Sequence, residues 1–246
     1  MRIAAIYDIH GNLPALEAVI DEVRRERIDL VLVGGDVLPG PMPRETVEFL
    51  LDLDLPIQFI RGNGDRVVRA QMSGVAPTEV PPPFRDAIRW TAEQLAPEHA
   101  TWLGSWPPTL RLHGREIGDV LFCHATPRND TDIFTRLTPD AAVQPLFAGV
   151  DVPLVVCGHT HMQFDRTVGA IRIVNAGSVG MPFGEPGAYW LLLGSDVELR
   201  RTAYDLDAAA ERIRATSYPQ AEEFADRNVL HPPSEASMLE AFSRHS

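Results

Sequence analysis

Seven side chains that can bind metal ions occur in short motifs in the first two thirds of the sequence. They comprise two carboxylates, one amide and four imidazoles, which include four of the eight histidines of the chain. Mixed oxygen and imidazole donors suit manganese, iron, zinc or cobalt rather than calcium. One zinc ion usually takes four ligands, whereas two ions that share a carboxylate would use all seven. These residues are Asp8, His10, Asp36, Asn63, His124, His159 and His161.

The spacing within the motifs also suits metal binding. Asp8 and His10 are two residues apart, as are His159 and His161, and extended backbone puts such pairs on one face. A lone histidine at a strand end is usually a hydrogen-bonded turn residue, so each position by itself has an ordinary structural explanation. Their joint occurrence at strand ends is what predicts a site.

Each motif follows an apolar run of strand length. Helical periodicity at 14–27 and 44–51 separates the first runs, which indicates a mainly parallel sheet with crossover helices. Functional groups of such sheets gather at the carboxyl ends of the strands, so the motifs are expected to meet in one crevice. The runs are 3–7, 30–33, 57–60, 120–123 and 154–157.

Composition limits the classes of partner. The 246 residues include 34 acidic and 22 basic side chains, a net charge of −12 that argues against an extended nucleic-acid surface or an anionic membrane. Bound cations can still reverse the charge locally and admit a phosphate ester. Cys123 and Cys157 lie in apolar runs, which favours buried thiols in a reducing compartment. The N-terminal run is too short for a signal peptide or membrane span, so a cytoplasmic protein is predicted.

In order and spacing, the motifs resemble those of the calcineurin-like metallophosphoesterase superfamily, in particular its small bacterial and archaeal phosphodiesterase-type branch. The matching motifs are D-x-H at 8–10, G-D at 35–36, G-N at 62–63, His124 alone and G-H-x-H at 158–161. The implied fold is α/β, a four-layer α/β/β/α sandwich. Two later pairs of segments, 163–168 with 170–174 and 189–193 with 197–202, have hairpin turn signals and fit its second sheet.

The resemblance implies two divalent metal ions bridged by Asp36. Manganese is expected first, with iron, zinc, cobalt, nickel and magnesium as alternatives. Such a pair polarises phosphoryl oxygens and activates a bridging hydroxide, so the predicted activity is hydrolysis of a small phosphate ester. The ligands implied are Asp8, His10 and His161 for the first ion, and Asn63, His124 and His159 for the second.

The third motif departs from the family pattern at Gly64. Most members have a histidine there that helps to protonate the leaving oxygen, and a general acid is typically worth ~10²- to 10⁴-fold. Together with the small-member resemblance, its loss favours phosphodiesters, with a phosphomonoesterase or protein phosphatase as the enzymatic alternative. The other alternative is a metal-binding scaffold or regulator without turnover. Asp36, Asn63 and Asp65 are the candidate catalytic residues, Asp65 either orienting an imidazole or serving only as a turn residue.

Asn12, Arg61 and Arg66 are the candidates for substrate binding. Asn12 would donate to a phosphate, or else cap the helix that begins near Pro14. Arg61, Arg66 and also Arg128 suit phosphate by type, although solvated or salt-bridged arginines are commoner.

Residues 1–204 are predicted to form the phosphoesterase domain. An insertion at about 73–108, rich in proline and tryptophan, is expected to overhang the crevice and to shape substrate choice. Residues 205–246 are predicted to form a helical extension, with helix-like patterns on both sides of Pro232 and Pro233. This extension would pack on the domain or on a second subunit, so a homo-oligomer is left open.

Overall fold

A computed structural model of the chain describes residues 1–244; positions 245 and 246, the end of the predicted extension, lie outside the described residues. The strands are β1 (Ile3–Ile6), β2 (Leu30–Val33), β3 (Ile57–Phe59), β4 (Thr109–Gly114), β5 (Gly118–Cys123), β6 (Leu154–Cys157), β7 (Phe164–Val168), β8 (Ile171–Asn175), β9 (Ala188–Leu193) and β10 (Val197–Thr202). They form two five-stranded sheets, in the orders β10-β9-β1-β2-β3 and β4-β5-β6-β8-β7.

Helices lie on the outer face of each sheet. Short 3₁₀ segments at Pro82–Phe84 and Gln144–Phe147 and a π-helical segment at Ala225–Leu230 extend three of them. The α-helices are α1 (Leu13–Arg25), α2 (Pro43–Leu51), α3 (Asn63–Met72), α4 (Arg85–Gln94), α5 (Pro97–Gly104), α6 (Asp140–Val143), α7 (Leu206–Arg214), α8 (Ala221–Phe224) and α9 (Glu235–Ser243). Within residues 1–244, none of them has both the length and the apolar character to cross a membrane.

The alternation of side chains along the buried strands creates the layers. On β1, Ile3 and Ala5 pack with Phe122 in the core between the sheets. Ala4 and Ile6, on the opposite face of β1, belong to the core under the helices. On the second sheet, the outward face of β5 and β6 packs on the thin outer layer around α6. The predicted four-layer sandwich is therefore confirmed.

The predicted distribution of strands between the sheets is wrong in two respects. The hairpin β9–β10 belongs to the first sheet, because β9 pairs antiparallel with the edge of β1 that β2 leaves open. Strands β5 and β6 belong to the second sheet, where they pair parallel to each other. The motifs consequently come from two sheets whose strand ends face one another, not from a single parallel sheet.

The insertion and the C-terminal helices pack against each other. Trp102 and Trp106 anchor the insertion on the main core, where Trp106 stacks on Phe59 with ring centroids 4.8 Å apart. Helix α4 buries Ile88 in the same core, while Ala87 joins a separate cluster with residues of α7, α8 and the π-helical segment. This arrangement brings residues 80–88 and 218–233 to the mouth of the predicted crevice.

Candidate metal and active site

The backbone at the predicted ligands has an unusual conformation. Asp8, His10, Asp36, His159 and His161 have φ between 48° and 68°, and they are all of the non-glycine residues with positive φ within residues 1–244. This left-handed region is costly for residues with a Cβ atom, by about 1–3 kcal/mol each, and such strain clusters at functional sites. The loops after β1, β2 and β6 thus hold their polar side chains in strained positions.

Backbone hydrogen bonds beyond the strand ends fix these loops. The amides of Asp8 and His10 donate to the carbonyls of Gly35 and Asp36, both at 3.0 Å, so the first two loops stay paired after β1 and β2 end. The His159 amide donates to Asp8 Oδ2 at 2.9 Å and ties the loop of the second sheet to that of the first.

Asp8, His10 and His161 form the first group of donors, with one donor atom from each residue within 4.8 Å of the others. Asp8 Oδ1 lies 3.5 Å from His161 Nε2 and 4.0 Å from His10 Nε2. This oxygen is buried and has no hydrogen-bond partner. A buried carboxylate oxygen without a partner is costly, and a cation among these atoms would satisfy it.

Asp36, His124 and His159 form the second group, again with donor atoms within 4.8 Å. Asp36 lies between the groups, with Oδ1 3.5 Å from His124 Nε2 and Oδ2 3.7 Å from His10 Nε2. Ligand atoms about 2 Å from one ion lie within about 4 Å of each other. Both groups therefore fit a divalent ion, with Asp36 positioned to serve both.

The Asn63 amide faces the second group. One polar atom of that amide lies 3.2 Å from His124 Nε2 and 3.1 Å from His159 Nδ1. The two ends of an amide are exchanged by rotation. With nitrogen there, the amide would donate to the rings; with oxygen there, it would be a third ligand beside the two imidazoles. Asn63 is the first residue of α3 rather than part of a tight turn, and Gly62 is the N-cap.

Backbone carbonyls orient two of the rings. Nδ1 of His161 lies 2.7 Å from the Met181 carbonyl and Nδ1 of His124 lies 3.0 Å from the Gly34 carbonyl. Because carbonyls only accept, these nitrogens carry the protons and both Nε2 atoms point into the site. Partners of this kind are typical of metal-binding histidines.

The two carboxylates of the site shift the pKa values of the neighbouring rings. Burial lowers the pKa of His124, but Asp36 and Asp8 outweigh burial and raise it to about 10. His161 also has a raised pKa, since Asp8 outweighs burial. Burial and the neighbouring His124 instead lower the pKa of His159 to about 4. Two carboxylates thus hold protons on two of the four rings, and a divalent ion would take over that role from the protons.

Asp65 makes contacts that differ from the predicted contact with an imidazole. Its carboxylate is buried and accepts hydrogen bonds from the amides of Asp36, Gly62 and Leu38 at 2.8, 3.0 and 3.1 Å. It therefore joins the loop after β2 to the start of α3. In this position Asp65 is a positioning residue for Asp36 and Asn63.

Asn12 caps a helix and is not available to a phosphate. Its side chain is fully buried, accepts from the Ala15 amide at the start of α1 and donates to the Gly180 carbonyl at 3.0 Å. The prediction that it binds substrate is corrected for this reason, and the helix-cap alternative is confirmed.

The three candidate arginines differ in their partners. Arg66 is held by Asp130, through Nε and Nη2 at 2.8 and 3.1 Å, and by Glu79 at 2.8 Å, so its predicted role as a phosphate clamp is corrected to a structural one. Arg128 pairs with Asp132. Arg61 Nε, in contrast, is buried without a hydrogen-bond partner. Within residues 1–244, Arg61 alone of these three has a guanidinium free for a ligand.

Gly64 allows two loops to approach each other. Its amide donates to Asp36 Oδ1 at 2.8 Å, and a Cβ atom on Gly64 would lie only 2.2 Å from the Leu38 carbonyl oxygen. The place of the family histidine is thus closed to any side chain by the backbone of the loop after β2.

Two cavities open from the ligand cluster. The first, the apolar cleft, has a volume of about 430 Å³ and contacts His10, Asp36, Asn63 and Gly64. Its walls come from the insertion and from the C-terminal extension, whose contribution the sequence analysis missed because no motif marks it. The wall residues are Val80, Phe84 and Ile88 on one side and Tyr218, Phe224 and Pro233 on the other.

The second cavity, the basic cleft, has a volume of about 310 Å³ and contacts His124. It is formed by the segments that follow β3 and β5. All three candidate arginines contribute to it, and the lining includes Arg61, Arg66, Thr126, Arg128 and Asn129.

Comparison with known proteins identifies the family. Residues 1–196 match the model of the calcineurin-like phosphoesterase superfamily domain, so the chain belongs to that superfamily. The resemblance inferred from the motifs is therefore confirmed. An uncharacterised protein of Methanocaldococcus jannaschii is 30% identical in an alignment that covers 89% of this chain and 94% of that protein.

Solved structures agree with this assignment. A metallophosphoesterase from Sphaerobacter thermophilus superposes with a TM-score of 0.71 at 29% identity, covering 92% of this chain and 97% of its own. A hypothetical protein from Pyrococcus horikoshii has the same fold, with a TM-score of 0.80 at 20% identity over 95% of this chain and 99% of its own.

Proposed function

We propose that the protein hydrolyses a phosphodiester with two divalent ions, manganese being the first candidate. The observation that carries this proposal is the pair of three-residue donor groups with Asp36 between them and the unpartnered Asp8 Oδ1. When bound, two such ions polarise the phosphoryl oxygens and lower the pKa of a water between them. The chain would hold the ions through Asp8, His10 and His161 on one side and Asn63, His124 and His159 on the other.

One feature supports a diester over a monoester, and a second feature concerns the leaving group. A diester carries two organic groups, and two separate cavities open from the ligand cluster, one at His10 and one at His124. Gly64 has no proton to give to a leaving oxygen, which disfavours alkoxide leaving groups more than phenolic ones. In this proposal Arg61, through its unpaired guanidinium, binds a non-bridging phosphoryl oxygen or an anionic substituent in the basic cleft.

The test combines metal content with hydrolysis. The protein loaded with Mn²⁺ should contain two ions per chain and hydrolyse bis(p-nitrophenyl) phosphate faster than p-nitrophenyl phosphate. His124→Asn should lose one ion and at least ~10³-fold in kcat/KM, because the second ion loses a ligand and the site is no longer complete. His113→Asn is the matched control, since His113 is an exposed ring paired only with Asp119.

Each other outcome selects an alternative. Two bound ions without turnover of any ester would support the scaffold or regulator. Faster hydrolysis of the monoester would support the phosphomonoesterase or protein phosphatase. Full metal content and activity in His124→Asn would refute the ligand set.

A further inference from the structure

The apolar cleft opens directly onto the donor groups, and the function proposed above leaves open which kind of organic group it binds. It contacts His10 and Asp36, and its lining also includes Pro39, Val67 and Met181. None of these three can bind an anion or pair with a sugar hydroxyl. A charged or strongly hydrated group placed there would lose its water without compensation.

The outer part of the cleft is also unsuited to a second anion. The polar residues that line the cleft away from the donors are Gln220 and Asn228, which are half-buried amides, and Glu223 and Arg227, which are exposed and charged. Their opposite charges leave no net field that would attract a phosphate or repel a neutral group. The ligand that fits both ends of the cleft therefore has one anionic phosphoryl group at the donors and an uncharged body in the cleft.

Phe84 gives the cleft a second apolar feature. It is 53% exposed, among the few large apolar side chains with so much exposed surface in residues 1–244, and it lines the cleft. The rings of Tyr218 and Phe224 also line the cleft, and both are buried. Aromatic side chains in the lining of one cavity favour a flat apolar ligand.

We propose that the apolar cleft binds one organic group of the diester and that this group is apolar and cyclic, of the size of one or two rings. This inference rests on the proposed function and names the substrate class for that site: an aryl phosphodiester, whose leaving group is a phenol. Gly64 lines the same cleft, at the place where the family pattern puts the residue that serves the leaving oxygen. The apolar group is therefore the leaving group, and a phenol suits a site without a general acid better than an alcohol does.

Binding of unreactive analogues tests the inference separately from catalysis. Monoesters of methylphosphonic acid with methyl, 2,3-dihydroxypropyl and benzyl groups share one anionic head, and titration calorimetry with Mn²⁺-loaded protein gives Kd for each. The benzyl ester should bind ~10- to 100-fold more tightly than the methyl ester, because its ring is transferred from water into the apolar cleft. Its heat-capacity change should be more negative. The dihydroxypropyl ester should bind little more tightly than the methyl ester, because its substituent is polar.

Phe84→Ala locates the effect in the cleft. It should weaken benzyl binding by ~3- to 10-fold and leave methyl binding unchanged, since only the larger group reaches the outer wall. Leu137→Ala is the matched control, because Leu137 is 65% exposed and does not line the cleft. An equal effect of the two variants would overturn the assignment to this cavity.

Failure of the inference differs from failure of the proposed function. Equal Kd values for all three esters, with diester hydrolysis intact, would overturn the apolar site alone. Absence of binding by every ester together with absence of hydrolysis would count against the phosphoesterase itself.

Discussion

The apolar cleft and the basic cleft open from the same donor groups but differ in origin and in charge. The basic cleft is formed by the segments that follow β3 and β5, next to the motifs of the family. The apolar cleft is walled by the insertion and the C-terminal extension, which carry no motif. In the proposed function, the loops next to the motifs would hold the ions and the phosphoryl group, whereas the insertion and the extension would determine which organic groups can enter.

Replacement of Gly64, which lines the apolar cleft next to the donor groups, is expected to cause the largest loss of activity. In Gly64→Ala the new Cβ atom would lie 2.2 Å from the Leu38 carbonyl oxygen, which is backbone and cannot swing away. We expect ~10³-fold loss of diester hydrolysis and destabilisation by about 1–3 kcal/mol, because the loop that carries Asp36 must shift. Activity assays, metal analysis and urea unfolding measure these effects.

Gly194→Ala is the control for Gly64→Ala. A Cβ atom on Gly194 would meet its nearest neighbour, Arg2 Cγ, at 3.6 Å, an ordinary contact. Gly64→His should be as damaging as Gly64→Ala rather than restoring an acid. A Gly64→His variant that is stable and gains activity on alkyl esters would show that the loop yields easily and that the site lacks only the acid.

Replacement of Arg61, the unpaired arginine of the basic cleft, should cause the second-largest loss of activity. Arg61→Gln removes the guanidinium whose Nε is buried without a partner. We expect kcat/KM to fall ~10- to 100-fold, mainly through KM, because a charge-assisted contact to the ester is lost. The free energy of unfolding should stay equal or rise, since an unsatisfied buried group is removed. A loss of stability without a change in KM would assign Arg61 to packing instead.

The sequence alone predicts the candidate metal ligands much better than it predicts the roles of the residues that line the two clefts. Asp8 and Asp36 follow neighbouring parallel strands of one sheet, so the rule that strand ends gather predicts their convergence, whereas His124 joins them only because the second sheet packs on the first. The role of Arg66 depends instead on Asp130, which lies 64 residues further along the chain and pairs with it. No local pattern predicts such a pairing.

The same limit applies to the sheets and the apolar cleft. Hairpin signals identify β9 and β10, but which sheet they join is decided by the open edge of β1, about 185 residues earlier in the chain. The walls of the cleft likewise require packing of residues 80–88 against 218–233. Local periodicity predicts the helices of these segments but not which other segments they pack against.

Replacement of Arg66, which is paired with acidic side chains, should change KM less than replacement of Arg61. Arg66→Gln removes the two hydrogen bonds to Asp130 and the one to Glu79. We expect about 1 kcal/mol of destabilisation, because the pair is bidentate but partly exposed. KM for the ester should change less than in Arg61→Gln. A KM increase as large as that of Arg61→Gln would show that the substrate displaces Asp130 and that both arginines bind it.

Asp132 accepts hydrogen bonds from residues that line the basic cleft, and its replacement should cause the smallest change, a small loss of stability. It accepts hydrogen bonds from Arg128 Nε at 2.5 Å and Thr126 Oγ1 at 2.7 Å. Burial raises the pKa of Asp132, but Arg128, Thr126 and Asn129 outweigh burial and lower it to about 2. Asp132→Asn should cost less than about 1 kcal/mol at pH 6, because exposed pairs are weakened by solvent.

The pH dependence of that cost distinguishes a charge effect from a packing effect. The folded pKa of Asp132 lies below its ordinary value, so its ionisation stabilises the fold above that value and the gain is lost as the pH falls towards 2. The difference in unfolding free energy between the wild type and Asp132→Asn should shrink by about half at pH 3. A double-mutant cycle with Arg128→Gln measures the pair itself. A cost that stays constant between pH 6 and pH 3 would mean that the hydrogen-bond geometry of the loop matters and the carboxylate charge does not.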